Sequence, residues 1–233
     1  MKIIIAILSF SLFLCACDKD NYDPPTAQLS GKLVYQGEAI NVEFNQVPYQ
    51  LYQFGFGKTG AVSNTSFTQD GTYSVLLFNG TYKLLIPNGQ GPFLWKKLPG
   101  GAPDSITVNM NGSQQLDLEV TPYYMIRTPQ ITAAGNNVTA TFKVEKVITD
   151  ANARNIERVN LYLNKTTFVS GNGNYNVANV SRTGANITDP NNVSLTVAVP
   201  AIVPAQNYIF ARIGLKVAGV EDMIFSPVVK LTL

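Results

Sequence analysis

Six aromatic side chains fall in two short stretches, Tyr49, Tyr52, Phe54 and Phe56 in the first and Phe93 and Trp95 in the second. Amides stand beside both, Gln50 and Gln53 in one, Asn88 and Gln90 in the other. A sugar ring presents apolar C–H faces edged by hydroxyls, so carbohydrate recognition needs a flat aromatic with hydrogen-bonding groups around it. Trp95, Phe93, Tyr52, Phe54, Phe56, Gln53 and Gln90 are accordingly the candidate glycan contacts. Two readings stay open, because Tyr52, Phe54 and Phe56 share one parity on a strand and suit a core face equally well. Trp95 is likewise suited to plug the open end of a sandwich. Tyr123, Tyr124 and Met125 are expected to pack at a domain junction.

Other chemistry is sparse. The chain has no histidine, which removes the usual general base, the Ser-His-Asp and Cys-His nucleophiles and every imidazole metal site. Carboxylates remain, among them Glu38, Glu43, Asp104, Glu119, Glu145, Asp150, Glu157, Glu221 and Asp222. They lie mostly beside turns or on polar strand faces, and nothing marks two as the spaced pair that glycoside hydrolysis uses. Lys96-Lys97 before Leu98-Pro99 reads as a loop, not as a lysine with a lowered pKa. The amide-rich stretches 170–176 and 186–192 supply the Gly and Asn of tight turns, with a binding rim as the alternative. Asp189 alone is too little for Ca²⁺. No catalytic residue, metal or cofactor is assigned. The net charge of +2, with no basic stripe, speaks against nucleic acid.

The chain begins with an address. Met1-Lys2 is followed by an apolar run over 3–14, too short for a transmembrane helix. Leu14-Cys15-Ala16-Cys17 resembles the bacterial lipobox, which implies cleavage after Ala16 and a diacylglycerol on Cys17; an ordinary signal peptide is the alternative. The mature chain then has no free thiol and no disulfide. Acylation suffices for stable membrane anchoring without help from the folded part. Residues 18–25 are polar, acidic and closed by two prolines, the composition of an extended linker. An acidic cluster at this place resembles the export signal of Bacteroidetes surface lipoproteins. The expected location is the outer membrane, lipid-anchored and exposed at the cell surface; a spacer facing the periplasm is the alternative.

Everything after the tether reads as β. From Leu29 to Val120 apolar residues alternate with period two, as in Tyr73, Val75 and Leu77, in Tyr82, Leu84 and Ile86, and in Ile106, Val108 and Met110. Asp70-Gly71, Asn79-Gly80 and Asn111-Gly112 punctuate the series and predict type I′ hairpins. A second series begins at Ile131 and includes Val138, Ala140, Phe142 and Val144, then Val159, Leu161 and Leu163. The expected fold class is all-β, two consecutive antiparallel β-sandwich domains after a lipoprotein signal peptide. The division is 1–16 signal peptide, 17–27 acylated tether, 28–121 N-terminal sandwich and 122–233 C-terminal sandwich.

The run IVPAQNYIFARIGLK resembles the strand after a proline-containing corner in fibronectin type III domains. By position Tyr208 would be the corner tyrosine, its hydroxyl bonding backbone near 203–205. Across nearly the whole mature chain, the series Leu29-Ser30-Gly31, Gly37-Glu38-Ala39-Ile40, QLYQFGF, DGTYSVLLFNGTYKL and GPFLW resembles the two-domain Bacteroidetes lipoproteins grouped as domain of unknown function 3823. That resemblance implies a transthyretin-like or carboxypeptidase-regulatory-like first domain and an immunoglobulin-like or fibronectin type III-like second one. It also implies a setting near starch-utilisation-like outer-membrane transporters. The function expected is that of a non-catalytic surface lipoprotein that binds or presents polysaccharide, with the membrane, a glycan and an outer-membrane transporter complex as partners. A structural or adhesive subunit is the alternative, and a carbohydrate-active enzyme the third.

Overall fold

The computed structural model describes residues 23–54 and 60–233; the signal peptide, Cys17 and Phe56 lie outside the described residues. Among the described residues no helix is long and apolar enough to cross a membrane. The N-terminal unit comprises β1 (Ala27–Tyr35), β2 (Glu38–Ala39), β3 (Pro48–Gln53), β4 (Ser63–Ser66), β5 (Thr72–Leu77), β6 (Gly80–Leu85), β7 (Phe93–Leu94), β8 (Ile106–Met110), β9 (Gln114–Gln115), β10 (Leu118–Glu119) and β11 (Thr121–Pro122). One sheet is built on β1. It pairs antiparallel with β5 and β2, and parallel with β9 and β10. The other runs in the order β4-β3-β6-β8. Alternation sends Leu29 and Leu33 of the first sheet and Tyr49, Leu51, Tyr82, Leu84 and Val108 of the second into one core.

The expected hairpins are corrected. Asn79-Gly80 carries the chain from β5, which pairs with β1, to β6, which pairs with β3 and β8, so it turns a corner between the two sheets. Asn111-Gly112 does the same from β8 to β9, and Asp70-Gly71 lies between β4 and β5. The reason is physical: alternation fixes which face a strand buries, and both sheets bury theirs in the same interior, so the pattern carries no record of the partner. The glycines keep their role. Gly71 has φ 70°, and a Cβ there would meet the Ile40 carbonyl oxygen at 2.0 Å. The Gly112 N–H donates to Asn79 Oδ1 at 2.9 Å, so the corners brace one another.

The C-terminal unit comprises β12 (Tyr124–Ala134), β13 (Asn137–Lys146), β14 (Ile156–Asn164), β15 (Ala178–Thr183), β16 (Val193–Ala198), β17 (Tyr208–Val217), β18 (Met223–Phe225) and β19 (Val229–Thr232). β12-β13-β16 face β15-β14-β17, with β18 and β19 continuing the latter sheet beside β17. That is the two-sheet order of a fibronectin-type sandwich. Val138, Ala140, Phe142, Val159, Leu161, Leu195, Ile213 and Leu215 fill it. Tyr208 does open β17, but among the described residues its hydroxyl makes no bond to backbone 203–205. Its ring instead carries Lys230 Nζ at 4.1 Å and meets Phe210 edge-on. The ring is thus oriented by the adjoining β19 and not by the turn.

The two units are joined through a sheet face. In β14 six consecutive residues, 159–164, are buried, which a strand with one solvated face does not do. Val159, Leu161 and Leu163 point into the sandwich; Asn160, Tyr162 and Asn164 point outward and are buried all the same. What covers this face includes the N-terminal unit, where Asn41 bridges to Phe225 and Gln69 reaches the loop after β14.

Candidate functional site

The residues nominated from sequence do not form one site. Trp95 is 6% exposed and its indole N–H donates to the Asp104 carbonyl at 2.7 Å; Phe93 is 4% exposed. The Phe93 ring lies so close over Gly91 that a Cβ there would come within 2.3 Å of it. Both are core, so neither is a platform. With Gln90, Tyr123 and Gly219 they line a cavity of about 120 Å³ at the junction, well below the roughly 300 Å³ at which small-molecule sites begin. Tyr52 and Phe54 instead lie on the solvent face of β4-β3-β6-β8, the face opposite Tyr49 and Leu51. The Tyr52 hydroxyl donates to Gln50 at 2.9 Å, and Phe54 is exposed. Gln53 is half-buried beside Gly80. Register separates the sets: Gln53 pairs with Tyr82, whereas the Trp95 cavity begins at Pro87, roughly 17 Å further along the chain at strand rise.

A different aromatic group straddles the seam between the units. Phe44, from the N-terminal unit, packs tilted against Phe168 with ring centroids 4.7 Å apart and planes at 54°, and Tyr175 closes the trio at 5.9 Å from Phe44 and 6.1 Å from Phe168. Phe168 is 38% exposed, and Phe44 and Tyr175 are half-buried. Their backbone is held firmly. Asn164 Nδ2 donates to the Phe168 carbonyl at 2.5 Å, and Gln69 Nε2 donates to the Thr167 carbonyl at 2.9 Å. Asn176 Nδ2 donates to the carbonyls of Ser170 and Asn172. Asn45, next to Phe44, and Asn174, next to Tyr175, are exposed, as is Asn172, whose Oδ1 accepts from the Asn174 N–H. Half-open rings framed by amides, from both units, match the chemistry of a sugar face and its hydroxyls. Sequence reading named the loop 170–176 as punctuation or rim. It missed Phe44 and Phe168, because only the packing of the two units brings them together.

Directly beneath lies a polar lock. Arg212 is fully buried, and its guanidinium donates to the carbonyls of Ser226 at 2.7 Å, Val169 at 3.4 Å and Gln69 at 2.6 Å. Its carbon stands 4.3 Å over the Phe225 ring. Burial pushes its pKa down to about 9, so it stays charged at neutral pH. Asp222, also buried, accepts from the Gly91 N–H at 2.7 Å; burial raises its pKa, and the Gly91 bond opposes the rise.

Four of the carboxylates are engaged as ion-pair partners. Arg127 pairs with Glu38 of one unit and Glu145 of the other, Arg158 with Glu157, and Lys96 with Asp104 at 3.5 Å. Among the described residues no three of Cys, Asp and Glu converge as metal ligands.

The model of the DUF3823 N-terminal domain, a protein of unknown function, matches residues 27–121, and the model of the DUF3823 C-terminal domain of unknown function matches residues 124–230. The structure of a DUF3823 family protein from Parabacteroides merdae is 33% identical at a TM-score of 0.76, covering 90% of this chain and 100% of that one. One from Bacteroides ovatus is 29% identical at 0.75, covering 89% and 99%. A structure from Bacteroides uniformis, named as a candidate carbohydrate binding protein, is 20% identical at 0.65, covering 90% and 100%. That last likeness speaks for the fold. No curated protein matches the chain.

Proposed function

The chain belongs to the DUF3823 family, and on that premise we propose that it is a non-catalytic surface lipoprotein that holds polysaccharide at the seam between its two sandwiches. The observation that carries this reading is the half-open trio of Phe44, Phe168 and Tyr175 with exposed amides beside it. The rings offer apolar faces, the amides offer donors and acceptors, and the rigid seam supplies pre-organisation. The name given to the Bacteroides uniformis structure points the same way. The lipobox at Cys17 and the acidic tether support anchoring in the outer membrane facing outward, where a transporter complex would receive the glycan.

Affinity electrophoresis in gels holding a panel of plant and host polysaccharides tests the reading. At least one glycan should retard the mature protein, and Phe168→Ala combined with Tyr175→Ala should abolish the retardation while the circular dichroism spectrum stays unchanged. Retardation by none, or retardation that survives the double substitution, would sink it. Mass spectrometry of native protein tests the anchor, which fails if Cys17 is an unmodified thiol.

One observation favours the adhesive alternative. Among the described residues β5 pairs only with β1, and its sequence TYSVLL bears no charge and no proline, the make-up of an unguarded edge that adds a strand from a partner. Light scattering on the deacylated chain decides: a stable dimer or polymer at micromolar concentration would support strand addition, and a monomer would remove it.

A further inference from the structure

Beside the seam, the outer face of the second sandwich carries another aromatic pair. Tyr208 and Phe210 stand two residues apart on β17, both half-buried, so their rings share one side of the sheet, with centroids 5.8 Å apart and planes at 83°. On one flank β19 pairs Lys230 with Phe210. On the other Phe210 pairs with Asn164, whose side-chain amide holds the Phe168 carbonyl. From Asn164 to Lys230 the three strands span roughly 10 Å. Phe210 also packs against the buried group that includes Val169 and Phe225, so the pair adjoins the loop that carries Phe168.

Two lysines stand at this pair without an acid. Lys230 Nζ lies 4.1 Å from the Tyr208 centroid and 5.9 Å from that of Phe210. Lys165 Nζ donates to the Val203 carbonyl at 3.2 Å, in the segment that leads into β17. Gln206 ties the two places together, its Nε2 donating to the carbonyls of Lys165 at 3.1 Å and Tyr208 at 2.8 Å. Among the described residues neither ammonium has a carboxylate partner, whereas Arg212, further along the same face, has Asp70 and Glu43 to answer its charge. An ammonium has three N–H donors. Among the described residues Lys230 spends none of them on a hydrogen bond and Lys165 spends one. A ring face and a carbonyl hold these long side chains in place, so an arriving anion has less rotamer freedom left to quench.

We propose that this strip reads charge on the ligand of the seam: the polysaccharide is anionic, its carboxylate or sulfate groups pairing with Lys230 and Lys165 while its apolar ring faces rest on the aromatic side chains beside them. The inference rests on the glycan reading of the seam and adds the class of glycan to it. Nucleic acid is a poorer occupant, because its affinity comes from many phosphates neutralised at once and two lysines supply too few contacts.

Biolayer interferometry on the full mature chain tests this with matched polymers, polygalacturonate against the same polymer methyl-esterified, and dextran sulfate against dextran. At least one acidic polymer should bind roughly tenfold tighter than its neutral counterpart in low salt, the gap narrowing as salt is raised; the pair that shows it tells carboxylate from sulfate. Lys165→Gln combined with Lys230→Gln should bring the acidic polymer down to its neutral counterpart with the circular dichroism spectrum unchanged, while Lys165→Arg combined with Lys230→Arg should keep the gap. Equal binding within both pairs, or a gap that survives the double glutamine substitution, would overturn the charge preference and leave the seam reading standing wherever a neutral glycan is still lost in the Phe168→Ala, Tyr175→Ala protein. Binding to no glycan at all would sink both together. Polyglutamate binding as tightly as the acidic polysaccharide would assign the lysines to an acidic protein partner and overturn the glycan assignment.

Discussion

Phe168 and Val169 are neighbours in the chain and belong to different regions of the molecule. Val169 is 1% exposed; its carbonyl accepts from Arg212, and its N–H points at Gln69 across the seam. Phe168 turns outward into a rim of aromatic rings and amides. In the seam the bonds that cross between the units run from Gln69 to Thr167, from Arg212 and the Val169 N–H to Gln69, and from the Gly91 N–H to Asp222. In the rim, the hydrogen bonds fix the backbone and leave side chains on offer. In the proposed reading the seam holds the geometry and the rim meets the ligand, so the two regions should answer mutation in opposite ways.

The largest effect belongs to the seam. Arg212→Met should lower stability by about 3–5 kcal/mol, because three buried carbonyls lose their donor at once. A denaturant midpoint measures it. Arg212→Lys should restore only a fraction, since an ammonium on a flexible stem cannot span three acceptors as a planar fork does. A wild-type-like Arg212→Lys protein would show that a single charge, and not the fork, holds the units together.

Next comes Trp95→Ala, which should cost about 3 kcal/mol as an emptied core position while leaving glycan retardation intact at a temperature where the variant remains folded. Loss of retardation without loss of stability would move the binding site back to the junction cavity. This substitution separates the junction, where the sequence nominated Trp95, from the rim that the fold brings together.

A third effect appears only in alkali. Burial pushes the Tyr49 phenol up to about 12 from an ordinary 10, and raises that of Tyr73 as well, with the Tyr49 charge adding to the latter. The folded chain therefore keeps protons that the unfolded chain releases above pH 10. Their contribution is complete below about pH 10 and declines as pH rises toward 12. Thermal midpoints should fall over that interval, together with a late rise in tyrosinate absorbance, and Tyr49→Phe should flatten the fall.

These contrasts also explain what the sequence disclosed. The alternation of Tyr82, Leu84 and Ile86 or of Val138, Ala140 and Phe142 revealed strands and their buried faces, because period two is a local property. Partners were hidden: Asn79-Gly80 reads identically whether it closes a hairpin or turns a corner between sheets. The seam was hidden, because VNLYLN at 159–164 alternates like a one-faced strand, with Asn160 and Asn164 on the face that the other unit covers. Arg212 within ARIGL gave no sign of burial, since its three acceptors are carbonyls that any sequence supplies. The rim was least legible. Phe44 and Phe168 lie far apart in the chain and meet only because Asn41 and Gln69 dock on the face of β14, β17 and β18. Trp95 and Phe93 drew attention as a conspicuous pair, yet the tight turn at Gly91 folds them inward.

The smallest stability change is expected in the rim, and it carries the largest functional consequence. Phe168→Ala removes a ring already over one-third exposed, so the loss should stay near 1 kcal/mol or below. The backbone carbonyl still receives Asn164, and Gln69 still holds Thr167, so the loop should keep its course. What disappears is one apolar face of the trio, and with it the contact that the proposed glycan site would use beside Phe44 and Tyr175. Phe168→Tyr restores the face and should restore retardation, whereas Phe168→Leu restores bulk without a flat surface and should not. If Leu serves as well as Tyr, the rim is a hydrophobic cap over the seam, and its rings are then better read as part of the lock that Arg212 forms below them.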